Sequence, residues 1–484
     1  VTAPRPPRAP TSRGRASQDP GGSAPAFHAT AFAALWAVGH LAHAFRKEPV
    51  TDALSWLLLL ACALVLHRPS SPGRLGVLAV AQIALFADRM PKTDNHLYIL
   101  AFANAGLLVT ALPLALRGRG WDRASFGLAR TWAAVVFLVS YGAAALSKLN
   151  RDFLFAEDTC ALALLDDAAA AVGSDRALVP EALQAAVPFV VAGVELAVPV
   201  LLALRATRAA GVVLAVLFHL AISISPTATA VDFTVLIFAV LALFVPLGGA
   251  AGRPVRRLAA RLRAGLREGR RRGLRPALDW DTAALLGLFA ALVVFQWRLG
   301  TVAGNRSWAV NAPLALLLGA ALVWAAVRLR GAPDRFRVSL RPLRAPHYGL
   351  LALLVLNAAA PYLGWKTDGT FTMYSNLDTY AGESNHYLFP RVGSGTPHDD
   401  LVRVVATSSD RLGAYVGSDL LLTWHQLRRA LARDPEASVT YVRGGRTYAY
   451  DRAAENPELV STDPVLHKLL SHRPHVEGPS RCMW

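Results

Sequence analysis

An all-α polytopic membrane helical bundle of about nine to eleven spans, with a small α/β soluble domain at its C-terminal end, is the fold class this sequence predicts. Three observations predict it. Hydrophobic side chains make up 54% of the 484 residues and charged ones only 17%, with mean hydropathy +0.36, a balance that a soluble chain of this length does not need. The apolar residues gather in runs approaching the roughly 17 to 25 positions that cross a bilayer. Lysine and arginine alternate in density from one connecting segment to the next. Three cysteines exclude a disulfide-built scaffold, and the apolar content excludes a disordered chain.

In chain order, residues 1–26 are rich in Pro, Arg, Gly and Ser and read as a disordered cytoplasmic tail. Phe27 to Phe45 then reads as an uncleaved anchor. Further spans are expected near Ala53 to Leu66, Leu75 to Phe86, Leu97 to Leu116, Thr131 to Leu149, Ala186 to Leu204, Ala209 to Ile224 and Val231 to Leu247. Three more follow near Thr282 to Phe295, Asn311 to Ala326 and Tyr348 to Leu363. The second, third and ninth of these eleven are short, which sets the lower bound of nine. The implied division is a transmembrane domain over 27–250, a basic cytoplasmic loop over 251–281, additional helices over 282–363 and an extracytoplasmic domain over 364–484.

Charge orients the chain. With the N-terminus inside, the inner segments carry 28 Lys+Arg and the outer loops 9, while 13 lie in the tail. That is the positive-inside bias of a multi-pass plasma-membrane protein, and it accounts for most of the net charge of +17. Ten arginines between Arg253 and Pro276, with Leu258, Leu262 and Leu266 four apart, predict an amphipathic helix on an anionic lipid surface. No aromatic residue interleaves them, so nucleic acid is not the expected partner. The tail balances 13 basic against 14 acidic residues. It reads as strands at Leu401 to Ala406 and Ser438 to Tyr450, turning at Gly444-Gly445, and as helices at Leu420 to Ala432 and Pro464 to Leu470.

Ionisable groups inside spans are costly and mark function by default. His40, His43, His96, Lys148, Glu195, His219 and Asp232 all fall in the outer or middle part of their spans, which predicts a polar cavity opening outward. Lys148 stands out because only five lysines occur in the chain, and a partly dried amine is a general base that arginine cannot replace. Tyr141, Ala144 and Lys148 share one helical face. The competing reading is that Lys148 snorkels to the headgroups. His96, in Asp94-Asn95-His96-Leu97-Tyr98, stands at a helix start where it supports a developing anion or is satisfied by a carbonyl. Glu195 is either protonated, paired with His219, or packed between helices.

No metal is expected. His40 and His43 lie far along the chain from any carboxylate or cysteine pattern, and neither HExxH nor paired CxxC occurs. Walker, GxGxxG and GxSxG motifs are absent too. Cys160 and Cys482 both fall outside, and whether they pair is left open by the sequence.

Four segments in order carry a resemblance: Asp94-Asn95-His96-Leu97-Tyr98, then Ser147-Lys148-Leu149-Asn150-Arg151-Asp152-Phe153, then Glu195-Leu196-Ala197-Val198-Pro199, then Phe218-His219. Together they resemble the vitamin K-dependent gamma-glutamyl carboxylases and their bacterial relatives, the horizontally transferred transmembrane (HTTM) domain proteins, over about residues 25 to 250. Thr372-Met373-Tyr374-Ser375-Asn376-Leu377 and Ser384-Asn385-His386 resemble a segment that follows the spans in bacterial members. The resemblance implies Lys148 as base on a reduced, vitamin K-type quinone and His96 as support for anionic intermediates. Asn95, Tyr98, Tyr141, Glu195, His219 and Asp232 would line the cavity, with Tyr374, Ser375, Asn376, Asn385 and His386 as a motif of the outer domain. Oxygenation of the quinol by O2 would then create a base strong enough to take a carbon-bound proton, with CO2 trapping the carbanion.

Beyond residue 250 the chain departs from the animal enzymes, adding three spans and a tail of about 120 residues where those enzymes carry a large lumenal region. The substrate expected is therefore a peptide or a small molecule, by carboxylation or by oxidation. The alternative is a non-catalytic membrane protein that matures, exports or confers immunity to a secreted peptide. A proton-coupled transporter using Glu195 and His219 would need an internal repeat that the sequence lacks.

Overall fold

The computed structural model describes residues 24–44, 52–91, 93–171, 174–224, 230–247, 287, 306–330 and 336–483. The expected helix between Arg253 and Pro276, the span near Thr282 to Phe295 and most of the N-terminal tail lie outside the described residues.

The chain is mostly helical. Its first part forms α1 (Ala24–Ala44), α2 (Ala53–His67), α3 (Pro72–Arg89), α4 (Asn95–Leu116) and α5 (Arg123–Ser147). Next come the short α6 (Arg151–Phe155), α7 (Cys160–Ala171), α8 (Glu181–Ala203), α9 (Arg208–Ile222) and α10 (Ala230–Leu241). Two further helices are α11 (Arg306–Arg328) and α12 (Ala345–Ala359). Four stretches among the described residues are long and apolar enough to cross a membrane: α4, α5, α8 and Asn311–Arg328 of α11. The apolar helices α2, α9 and α12 have 15 residues each. At about 1.5 Å per residue that is ~22 Å, short of the ~30 Å hydrocarbon core.

Local chemistry sets the helix ends. Asp52 and Asp122 cap α2 and α5 by accepting from the backbone N–H of Ser55 and Ser125, each at 2.7 Å. Where α4 crosses α5, Gly106 is required: a Cβ there would lie 2.0 Å from Trp132 Nε1, whose N–H donates to the Phe102 carbonyl at 2.9 Å. One continuous hydrophobic core joins α1 to α5 with α8 to α12, and it includes Phe371 of the tail.

The tail builds a five-stranded antiparallel sheet, in the order β4-β3-β1-β2-β5, from β1 (Leu401–Thr407), β2 (Leu420–Thr423), β3 (Val439–Arg443), β4 (Arg446–Tyr450) and β5 (His475–Val476). Helix α13 (Trp424–Leu431) packs on it through Trp424, Leu427 and Leu431, and α14 (Pro464–Leu469) follows. The hairpin expected at Gly444-Gly445 is present, both glycines having positive φ. The helix expected over Leu420 to Ala432 is corrected. Its first four residues pair with β1 and β5, and Thr423 then starts the helix by a capping box with Gln426.

Residues 364–400 are not part of the sheet but wrap against the ends of the helices. Asn150 and His386 form an isolated antiparallel bridge, with Arg151 N donating to Asn385 O and Tyr387 N to Leu149 O, both at 3.0 Å. A Cys160–Cys482 disulfide, closing 322 positions, ties the far end of the tail to α7. The pairing left open by the sequence is thereby decided.

Candidate functional site

The segment after α5 is built as a cap between two helices. Asn150 accepts from Phe153 N at 2.8 Å, starting α6, and donates to Ser147 O at 2.7 Å, while Ser147 Oγ donates to Ala144 O. Lys148 thus sits at the last turn of α5. Because side chains on a helix lean toward its N-terminus, the lysine stem runs back along α5 instead of out to the headgroups. Lys148 is 2% exposed. Its Nζ forms an ion pair with Glu195 Oε2 of α8 at 2.8 Å and donates to Met373 O at 3.0 Å. Snorkelling is therefore overturned, and so is the pairing of Glu195 with His219.

A cavity of about 1280 Å³ opens beside this pair. Lys148, Glu195, His96, Asn95, Tyr141 and His219 line it, so six of the eight residues expected at the site, Lys148 included, meet there. Its remaining wall is largely apolar, with Phe137, Val187, Val191, Phe233 and Ile237 among the contributors. Val190 of α8 and Ile224 line it while staying about half exposed, at 59% and 48%, which places a mouth on the apolar flank of the helices. Both ring nitrogens of His219 and the Tyr141 hydroxyl are buried without a hydrogen-bond partner among the described residues. Their rings are 5.9 Å apart.

Two expected residues are elsewhere. Tyr98 faces away from the cavity. Its ring covers Gly369, a residue at φ +71° whose Cβ would lie 2.2 Å from that ring, and Lys366 Nζ stands 4.5 Å above it. Burial brings Lys366 down to about 8, partly opposed by Asp368. It is a second dried amine that the sequence reading passed over, because it lies outside the apolar runs. Asp232 does not line the cavity but binds His43, whose Nδ1 is 2.8 Å from Asp232 Oδ2. The expectation that His43 lies far from any carboxylate fails in three dimensions. His40 is absorbed into a structural network: it donates to Trp36 O at 2.8 Å and meets Asn104, which bonds Trp36 and Gln82.

Of the five tail-motif residues, Tyr374 lines the cavity. Ser375 Oγ donates to Thr372 O, and Asn376 donates to Asp158 O and Ser480 O while accepting from Cys160 N. Asn385 donates to Asp152 Oδ2 at 2.9 Å. His386 donates from Nε2 to Leu146 O at 2.8 Å and accepts at Nδ1 from Leu388 N and Phe389 N. These side chains spend their polar atoms on backbone and, for Asn385, also on the Asp152 carboxylate, and so act as a clamp. What they hold is the turn carrying Phe371, Tyr374 and Asn376, all at left-handed φ of 64°, 51° and 50°. That turn sets Met373 O against Lys148, while Asp368, His472 and Arg473 complete the cavity wall. Burial lowers Arg473 to about 10, and its guanidinium donates to Thr367 O and Thr372 O.

Chemically, the arrangement offers a buried amine–carboxylate pair, an imidazole on the same wall, and a largely apolar volume beside them. No family model, no curated protein and no solved structure matches this chain.

Proposed function

We propose that this chain is a multi-pass membrane enzyme of the vitamin K-dependent carboxylase-like type, in which the Lys148–Glu195 pair serves as the base toward a membrane quinol. The observation that carries this is the buried ion pair at the wall of a large, mostly apolar cavity that His96 also lines. In this reading nine to eleven segments cross the plasma membrane, the N-terminus is cytoplasmic, and the tail is extracytoplasmic. The half-exposed Val190 and Ile224 at the mouth support lateral entry of a lipid-soluble ligand.

If a reduced quinone is held there, its oxygenation by O2 would supply a base strong enough for a carbon-bound proton, with CO2 as the trap. The protein's part is positioning and proton handling. Glu195 would take the proton that Lys148 must release before the amine can accept one from a bound hydroxyl, leaving one added proton on the pair. His96 would donate toward a bound anionic oxygen, and Tyr141 and His219 provide further buried polar atoms on the same wall. The substrate reached through the wall of Asp368, Tyr374 and Arg473 is a peptide or a small molecule.

The test is quinol consumption and CO2 incorporation by purified protein in lipid. Lys148→Ala and His96→Ala are expected to abolish quinol-dependent turnover while the protein remains folded. Full turnover in either variant would refute the assignment. The rival, a non-catalytic partner of a secreted peptide, predicts that Lys148 substitutions leave function intact. Deleting the tail does not separate the two, because residues of the tail form part of the cavity wall.

A further inference from the structure

We propose that His43, His96 and Asp232 form a site for one divalent first-row transition-metal cation at the edge of the cavity. The three residues come from α1, α4 and α10, and His43 and Asp232 are 189 positions apart, which is why no sequence motif announces them. One donor atom from each lies within 4.8 Å of the other two, and all three residues are buried, at 5%, 7% and 4% exposure. The imidazole rings of His43 and His96 stand edge to face with centroids 4.6 Å apart.

Geometry permits closure. Donors at about 2.1 Å from one ion in tetrahedral geometry lie about 3.4 Å apart, so closing from within 4.8 Å takes combined side-chain movement of up to about 1.4 Å. The donor types also discriminate. Two imidazoles and one carboxylate suit Fe(II) or Zn(II), whereas Ca2+ and Mg2+ favour all-oxygen sets. Asp94 Oδ2, 3.6 Å from His96 Nε2, brings a further carboxylate to the rim. Since His43, His96 and Asp94 line the cavity, positions not filled by protein would face the volume described above. The site does not depend on quinol chemistry and stands if that reading fails.

The experiment uses full-length, tag-free protein in lipid nanodiscs, stripped with chelator and then exposed in parallel to Zn(II) alone and to Fe(II) alone without oxygen. Elemental analysis is expected to return about one ion per chain in wild type. Asp232→Asn and His43→Gln should weaken binding at least ~10-fold, and Lys148→Arg should leave it unchanged. The arm that saturates at the lower concentration identifies the cation. Co(II) substitution gives a second readout, since visible d–d absorption should appear in wild type and vanish in whichever of the two ligand variants elutes as a folded monodisperse particle. Wild type that retains no stoichiometric metal, or ligand variants that bind as tightly as wild type, would overturn the site. Metal retained without quinol turnover would refute only the carboxylase-like reading.

Discussion

A lysine and a glutamate 2.8 Å apart inside a helical bundle each offset the cost of burying the other's charge. Removing a single partner strands the other. Glu195→Gln is therefore expected to cost about 3–5 kcal/mol, measured by thermal unfolding in detergent, whereas the double variant Lys148→Met with Glu195→Gln should regain most of it. Additive losses in that cycle would show that the two side chains are not coupled. Gly106→Ala drives a methyl group into Trp132 and is expected to destabilise by about 1–3 kcal/mol or more in the same assay, without touching the cavity. At this scale the sequence was informative where polarity itself was out of place: Lys148, Glu195, His96 and His219 are visible because spans seldom hold such groups. Their partners were not visible. Tyr98 shares a motif with His96, but one step of helix geometry turns it onto Gly369, and nothing in the letters says that His43 meets Asp232.

Among the elements, the tail is a working part of the site. The turn from Phe371 to Asn376 reaches Lys148 because Asn385, His386 and Asn376 fasten it to the segment after α5 and to α7. Residue type over Tyr374 to Asn376 and Ser384 to His386 does not distinguish a clamp from a ligand set. The strands of the tail were legible from alternation and from the Gly-Gly turn, whereas β2 was merged into the following helix because Leu420 to Leu422 suits either period. Burial also makes the tail acid-sensitive. His398 is held down to about 4 and His472 well below the ordinary histidine range, both chiefly by burial. The unfolded chain therefore binds more protons than the folded one below about pH 6.5, and stability falls from there toward pH 4. For His398 the full effect is about 3 kcal/mol. Thermal unfolding between pH 7.5 and pH 4 should show this fall, and His398→Gln should flatten it. A melting temperature independent of pH over that window would contradict the burial of these imidazoles.

For the whole molecule, the membrane character follows from composition, and four stretches among the described residues satisfy the length requirement outright. The shorter apolar helices were legible as hydrophobic runs, but their crossing depends on tilt and on how they pack, which periodicity does not encode. Cysteine chemistry gives an independent handle on orientation. The Cys160–Cys482 bond persists only where thiols are oxidised, so α7 and the end of the tail belong on the non-cytosolic side in the proposed topology. A membrane-impermeant maleimide applied to intact cells should label a cysteine placed at Ser408 in the tail and none placed at Arg119 between α4 and α5. The reverse pattern would invert the orientation. Breaking the disulfide by Cys160→Ser and Cys482→Ser is expected to cost about 2–5 kcal/mol and to loosen Met373 from Lys148.

The central claim is that a proton moves through the Lys148–Glu195 pair while a quinol is consumed. Lys148→Arg is the sharpest probe, because arginine preserves the positive partner for Glu195 but does not give up its proton in a protein. Quinol consumption by the purified, lipid-embedded protein should fall by about 100-fold or more in Lys148→Arg, on the scale of lost general-base catalysis, while its melting temperature stays near that of wild type. Turnover by Lys148→Arg equal to that of wild type would contradict the account.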